Sequence, residues 1–168
     1  MRLPITRSLD LLACLIGCFV LASAFYLEIY IGLKPCPLCV VQRFILLTLI
    51  ILFLLGSLLP LLGFIRRFYH FLVLLIASSG MAVAGRHVWL TTLPPNKVPS
   101  CEASINLLLK YLPIKQAAKI IFQGGGDCNQ VNWYFFKLNL PTWALISFII
   151  LGLIALWQVM HKDRLWVK

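Results

Sequence analysis

The sequence predicts an all-α integral membrane protein, a four-transmembrane-helix bundle with one short and one long loop on the same side of the membrane. Three observations lead there. Of the 168 residues 61% are hydrophobic, only 12% are charged, and four apolar runs are long enough to cross a bilayer. Soluble domains carry roughly 25% charged residues, while disordered chains, fibres and small disulfide scaffolds hold less apolar surface. The length suits one membrane domain over residues 1–168. Lys and Arg number 15 against 5 Asp and Glu, a net charge of +10. In a soluble protein that excess would suggest nucleic acid. In so apolar a chain it orients the protein in the bilayer and meets anionic lipid, and no nucleic acid is expected.

A spanning helix needs about 20 mostly apolar residues. The first span is predicted over approximately 11–33, because the run Leu11–Leu27 continues through Glu28 to Leu33. Ala22-Ser23-Ala24 resembles a signal-peptidase site and Leu11-Leu12-Ala13-Cys14 a lipoprotein box. The apolar continuation past both makes an uncleaved span the expectation. A short loop, 34–43, leads to a second span over 44–65, uncharged between Arg43 and Arg66-Arg67. A tight turn at those two arginines and a third span over 68–89, interrupted by His70, come next.

The long loop, 90–140, divides into pieces. Pro94, Pro95 and Pro99 give an extended approach to Cys101. Glu102–Leu112 carries Ile105, Leu108, Leu109 and Leu112 at helical spacing, and Ile114, Ala117, Ala118 and Ile121 form a second apolar face. Such faces pack on the bundle ends or lie along the membrane surface. Gly124-Gly125-Gly126 then gives Cys128 a tether with little backbone restraint. The fourth span, 141–160, has Pro141 in its first turn, where a missing N–H costs little. Trp89, Trp133, Tyr134, Trp143 and Trp157 suit the aromatic belts at the two membrane surfaces.

Four spans place both termini on one side. With the termini inside, seven basic residues fall on the inner segments and eight on the outer. The inner ones crowd into short tails and one turn, whereas Lys97, Lys110, Lys115 and Lys119 lie in the long loop. The orientation rule weights short loops, so termini inside is favoured.

The six cysteines form two classes. Cys14 and Cys18 lie within the first span and read as small apolar helix residues. Cys36, Cys39, Cys101 and Cys128 all fall in the outer loops. With the termini inside, these four face the oxidising compartment, where disulfides persist. Four cysteines allow three pairings. Cys36-Pro37-Leu38-Cys39 stands at the entry to the second span, where the positive end of the helix dipole favours a thiolate. A structural bridge here would close only a tiny loop and add little stability, so a redox role is favoured over a structural one. Zinc sites usually bring two close cysteine pairs. Cys101 and Cys128 have 26 residues between them, and no metal is expected. Cys101, near a predicted helix start, is the better-placed target for an outside thiol.

Arg43 stands four residues after Cys39 and so shares its helix face, one turn deeper. Its plain reading is an interfacial anchor. A cation in the first helical turn opposes the helix dipole, however, and outside it opposes the orientation rule. Stabilising the Cys39 thiolate, or a reduced anionic cofactor beside it, would compensate both costs.

Taken together, these residues resemble a known family. Lys34-Pro35-Cys36-Pro37-Leu38-Cys39-Val40-Val41-Gln42-Arg43 is similar to the CxLCxxQR signature of the disulfide bond formation protein B (DsbB) family. Gly85-Arg86-His87-Val88-Trp89-Leu90 resembles its segment at the end of the third span. Gly126-Asp127-Cys128, with Trp133, Pro141 and Trp143, resembles its entry to the fourth. The resemblance runs from the first span to Phe148. It implies a four-helix bundle of the bacterial inner membrane with cytoplasmic termini and periplasmic redox loops. Such a protein reoxidises the periplasmic thioredoxin-like oxidase DsbA and passes the electrons to a quinone, ubiquinone or menaquinone.

The resemblance further implies Cys36–Cys39 and Cys101–Cys128 disulfides. The partner's thiolate would attack Cys101, and the released Cys128 could attack Cys36 through a transient Cys36–Cys128 bridge, freeing Cys39 beside the quinone. Arg43 would sit at the quinone, with His87 a second candidate whose plain reading is a helix-end residue. Because the DsbA-type partner is itself strongly oxidising, the Cys101–Cys128 bridge must be destabilised, and the glycine tether is suited to contribute. Cys14 and Cys18 stand outside this chemistry. Alternatives are a quinone or vitamin-K-type reductase, a paralogue dedicated to one partner, and a membrane scaffold whose loops are merely stapled.

Overall fold

The computed structural model describes residues 5–32, 36–60, 63–92, 134–135 and 138–161. Among these residues four helices are long and apolar enough to cross a membrane. They are α1 (Ile5–Ile31), α2 (Pro37–Leu58), α3 (Gly63–Thr91) and α4 (Leu140–Met160). Before α4, strands β1 (Tyr134–Phe135) and β2 (Leu138–Asn139) pair antiparallel, Tyr134 opposite Asn139. This small hairpin has no counterpart among the expectations, since two-residue strands are too short to show a period. The two amphipathic helices expected in the long loop lie outside the described residues.

Local chemistry sets the helix ends. Gly32, at φ 73°, takes the left-handed conformation that terminates α1. Pro37 opens α2 at a position whose N–H has no helical partner anyway. The Oδ1 of Asn139 accepts from the Thr142 N–H at 3.2 Å to cap α4. Several boundaries differ from the hydropathy pattern. The second span ends at Leu58, not Ile65, and the third begins at Gly63, so Arg66 and Arg67 lie in the first turns of α3 and not in a turn. The reason is Pro60, which disfavours helical geometry at Leu59 inside an unbroken apolar run. At the other end, α2 starts seven residues before Phe44, taking Cys39 and Arg43 into the helix.

The helices run up-down-up-down, with α1 packed mainly on α2 and α3 mainly on α4. Ala13, Leu46, Leu49, Phe53, Val73, Ala77, Phe148 and Leu151 fill the centre. Small residues allow close approach, notably Gly80 against the Phe148 ring and Gly152 against Met81. Large apolar side chains such as Leu15, Ile29, Phe44, Phe64 and Leu153 point outward, as lipid contact requires. Among the described residues, buried polar side chains form two clusters at opposite ends of the bundle. At one end, near the start of α1, Asp10 Oδ1 meets His70 Nε2 at 3.1 Å and accepts from Gln158 Nε2 at 2.9 Å. The other end holds the cysteine pair.

Candidate functional site

The site begins with the first turn of α2. Cys36 is its N-cap, in an extended conformation, and Cys39 is the third helical residue. An N-cap side chain accepts from the backbone N–H two or three residues on. Here the acceptor is sulfur, and the Cys39 N–H donates to Cys36 Sγ at 3.3 Å. The same geometry brings the two sulfurs to 3.0 Å, short of bonding but within a small side-chain rotation of the about 2.05 Å of a disulfide. The helix start was expected to favour a thiolate in this motif. The backbone N–H is aimed at Cys36, so negative charge on that sulfur meets the positive end of α2.

Helix α3 supplies the second component. His87 is completely buried, with Nε2 3.6 Å from Cys36 Sγ and Nδ1 3.3 Å from the side-chain amide nitrogen of Gln42. Gln42 is 6% exposed and belongs to the inward stripe Leu38, Gln42, Leu46 and Leu49 of α2. Sequence reasoning placed it only inside the signature. Its signal was available: a polar residue four positions after an inward leucine must find a partner inside the bundle. His87 therefore lies at the cysteine pair.

Arg43 is held from α1. Its guanidinium forms an ion pair with Glu28, donates to the Ala24 carbonyl at 3.1 Å and stands 5.0 Å from the centre of the Phe25 ring. Glu28 is the residue the sequence reasoning passed over, since it was counted simply as part of the first span. An acid in an apolar run is itself the signal, because such a group needs a cationic or polar partner. Glu28 offsets the charge cost that made Arg43 conspicuous.

Between α1, α2 and α4 lies a cavity of about 710 Å³. Phe19, Leu27, Leu46, Pro141, Trp143 and Phe148 give it an apolar lining, and Cys39, Gln42 and Arg43 join them from α2. Asn139, which caps α4 there, also donates to Thr91 Oγ1 at 3.0 Å, tying the start of α4 to the end of α3. An apolar pocket with a few converging polar groups suits a largely apolar small molecule. Gln42 and Arg43 offer donors to carbonyl oxygens, and Cys39 brings a sulfur to the same wall.

Cys36, Cys39, Arg43 and His87 are thus gathered at one end of the bundle, while Cys101 and Cys128 lie outside the described residues. Cys14 is buried in the central apolar packing and Cys18 faces outward.

Residues 6–158 match the family model described as Disulfide bond formation protein DsbB. A Methylococcus capsulatus protein named Disulfide bond formation protein B is 37% identical over 98% of this chain and 100% of its own length. An Acinetobacter baumannii protein of the same name is 42% identical over 85% of this chain and 88% of its own. Disulfide bond formation protein B 1 of Pseudomonas aeruginosa is 40% identical over 89% and 91%.

Proposed function

The chain belongs to the disulfide bond formation protein B family, a family of multi-pass bacterial membrane proteins that form disulfides, and from that premise we propose that it reoxidises a periplasmic DsbA-type dithiol oxidase and passes the electrons to a membrane quinone. The orientation that goes with this reading puts both termini in the cytoplasm and the cysteine end of the bundle at the periplasmic face of the inner membrane. The observation that carries it is the position of Cys39. This residue is 3.0 Å from Cys36 by sulfur-to-sulfur distance and also lines the apolar cavity beside Arg43.

The exchange begins at a Cys101–Cys128 disulfide. A partner thiolate attacks Cys101, forms a mixed disulfide and releases Cys128 as a thiolate; the partner's second thiol then resolves the mixed disulfide and frees Cys101. Cys128 attacks Cys36, breaking the Cys36–Cys39 bond and leaving Cys39 as the thiolate. Cys36 is only 4% exposed, which favours delivery of the attacking sulfur by the chain's own tether over attack by a bulky outside protein. When Cys101 then attacks Cys128 of the Cys36–Cys128 bridge, the Cys101–Cys128 bond re-forms and Cys36 leaves as a thiolate, and the Cys39 N–H aimed at Cys36 Sγ steadies that charge. Gln42 and Arg43 would hold the quinone head, and Glu28 fixes the direction of the Arg43 guanidinium. Bound there, quinone supplies the acceptor for the two electrons and two protons given up by the partner's dithiol. Both bridges of this chain are re-formed at the end of the cycle.

The deciding experiment traps thiols with acid in intact membranes, alkylates them with a mass tag and compares normal with quinone-depleted cells. Cys36, Cys39, Cys101 and Cys128 should accumulate as thiols without quinone. If all four stay oxidised despite a supply of reduced partner, the oxidase reading fails.

A further inference from the structure

We propose that Cys36, Cys39 and His87, with the cysteines reduced, bind one zinc ion. The donor atoms of the three residues all lie within 4.8 Å of one another. Sequence spacing spoke only against a four-cysteine zinc set, and this donor set is different, because its third ligand comes from α3, 48 positions after Cys39.

The geometry is close to what zinc needs. Zn–S bonds of about 2.3 Å and a Zn–N bond of about 2.05 Å at tetrahedral angles set S···N near 3.6 Å and S···S near 3.8 Å. The Cys36 Sγ to His87 Nε2 distance is 3.6 Å. The sulfurs, at 3.0 Å, must part by about 0.8 Å, which a small rotation of the partly exposed Cys39 side chain achieves. Three protein ligands leave the fourth position to water.

Two further features support the ion. Metal-bound histidines are usually oriented by a hydrogen bond at the other ring nitrogen. Gln42 stands 3.3 Å from His87 Nδ1, and its amide can turn its oxygen to accept from an Nδ1–H, which leaves the Nε2 lone pair facing the sulfurs. Charge also balances. Binding releases both thiol protons, so one Zn²⁺ and two thiolates sum to zero, the state that best tolerates burial beside an apolar cavity.

No electron moves in this step. Zinc takes only the dithiol form, since a Cys36–Cys39 disulfide has no thiolates to offer, and while bound it prevents the bridge from re-forming. This regulatory consequence rests on the oxidase reading above, whereas the binding itself rests on the three side chains.

The test uses the full chain in lipid nanodiscs, reduced with a non-thiol reductant and titrated with Co²⁺ as a coloured substitute for zinc. One equivalent should give the intense visible bands of tetrahedral cobalt with sulfur-to-metal charge transfer, and Zn²⁺ should bleach them. His87→Gln should weaken zinc binding at least tenfold and Gln42→Ala about tenfold, while Cys101→Ser/Cys128→Ser should leave it unchanged. A spectrum retained in His87→Gln but lost in the Cys101→Ser/Cys128→Ser variant overturns the assignment, as does the pale spectrum of octahedral cobalt. A second readout needs no variant. Zn²⁺ should slow alkylation of Cys36 and Cys39 but not of Cys14 and Cys18, and equal rates with and without the metal overturn the site. Quinone-dependent turnover is measured separately. Its absence in the metal-free protein would sink the oxidase reading alone, and turnover undiminished by bound zinc would overturn the regulatory claim.

Discussion

His70 on α3 and Asp10 on α1 meet at 3.1 Å, each only 1% exposed, at the end of the bundle opposite the cysteines. His70 Nδ1 is 3.0 Å from the Arg66 carbonyl, which can only accept, so Nδ1 carries a proton. Asp10 Oδ1 already accepts from Gln158. The His70–Asp10 contact therefore needs a proton of its own, on the ring or on the carboxyl, and either placement leaves the pair with no net charge. Asp10→Ala should destabilise the protein by about 3–5 kcal/mol, the usual cost of stranding one member of a buried pair. The joint replacement Asp10→Leu/His70→Leu should cost less than Asp10→Ala alone. Thermal unfolding in nanodiscs measures both, and a double variant weaker than either single one would deny the coupling.

Arg43→His should chiefly weaken quinone use, because the bidentate cation at the cavity wall is lost. Glu28→Gln should act in the same direction by releasing the guanidinium from its ion pair. A rise of about tenfold in the apparent KM for quinone, worth about 1.4 kcal/mol, with kcat less affected is the expected pattern. Steady-state turnover at varied quinone checks it, and an unchanged KM in Arg43→His would remove that residue from the site.

Cys101→Ala or Cys128→Ala should block electron entry from the reduced partner while Cys36 and Cys39 remain able to react with quinone. Single-turnover assays of the pre-reduced variants distinguish the two half-reactions. Loss of both halves would mean that the two cysteine pairs do not divide the labour.

Gly80→Ala should destabilise by about 1–3 kcal/mol, because a Cβ there would lie 2.5 Å from atoms of the buried Phe148 ring. Gly85→Ala, on the same helix with nothing within 4 Å of the added carbon, should be neutral or stabilising by up to about 1 kcal/mol. Unfolding midpoints of the two variants provide an internally controlled comparison.

Four helices, and the shared face of Cys39 and Arg43, were legible because lipid imposes long apolar runs and helical spacing imposes neighbours. The α2–α3 boundary was misplaced because one proline inside a hydrophobic stretch outweighs the hydrophobicity around it. The site was legible along α2 but not across helices. Glu28 and Gln42 complete it through contacts made 15 and 45 positions away in the chain, with Arg43 and His87 respectively. No local pattern encodes which inward polar residue meets which. The Asp10–His70–Gln158 cluster was missed for the same reason, although each member stood out as a polar residue in or beside an apolar run.

His70 and His87 are 17 residues apart, about 26 Å along a helix, and on α1 Asp10 and Glu28 are 18 apart, about 27 Å. Those spans fall just under the about 30 Å hydrocarbon thickness of a typical bilayer. Each helix thus carries a polar mark near either surface, and the bundle gauges the membrane from within. A bilayer much thicker than this would draw one polar end into hydrocarbon unless lipid deformed around it, so acyl-chain length is a variable to which the height of the cysteine pair, and its access to water, should respond.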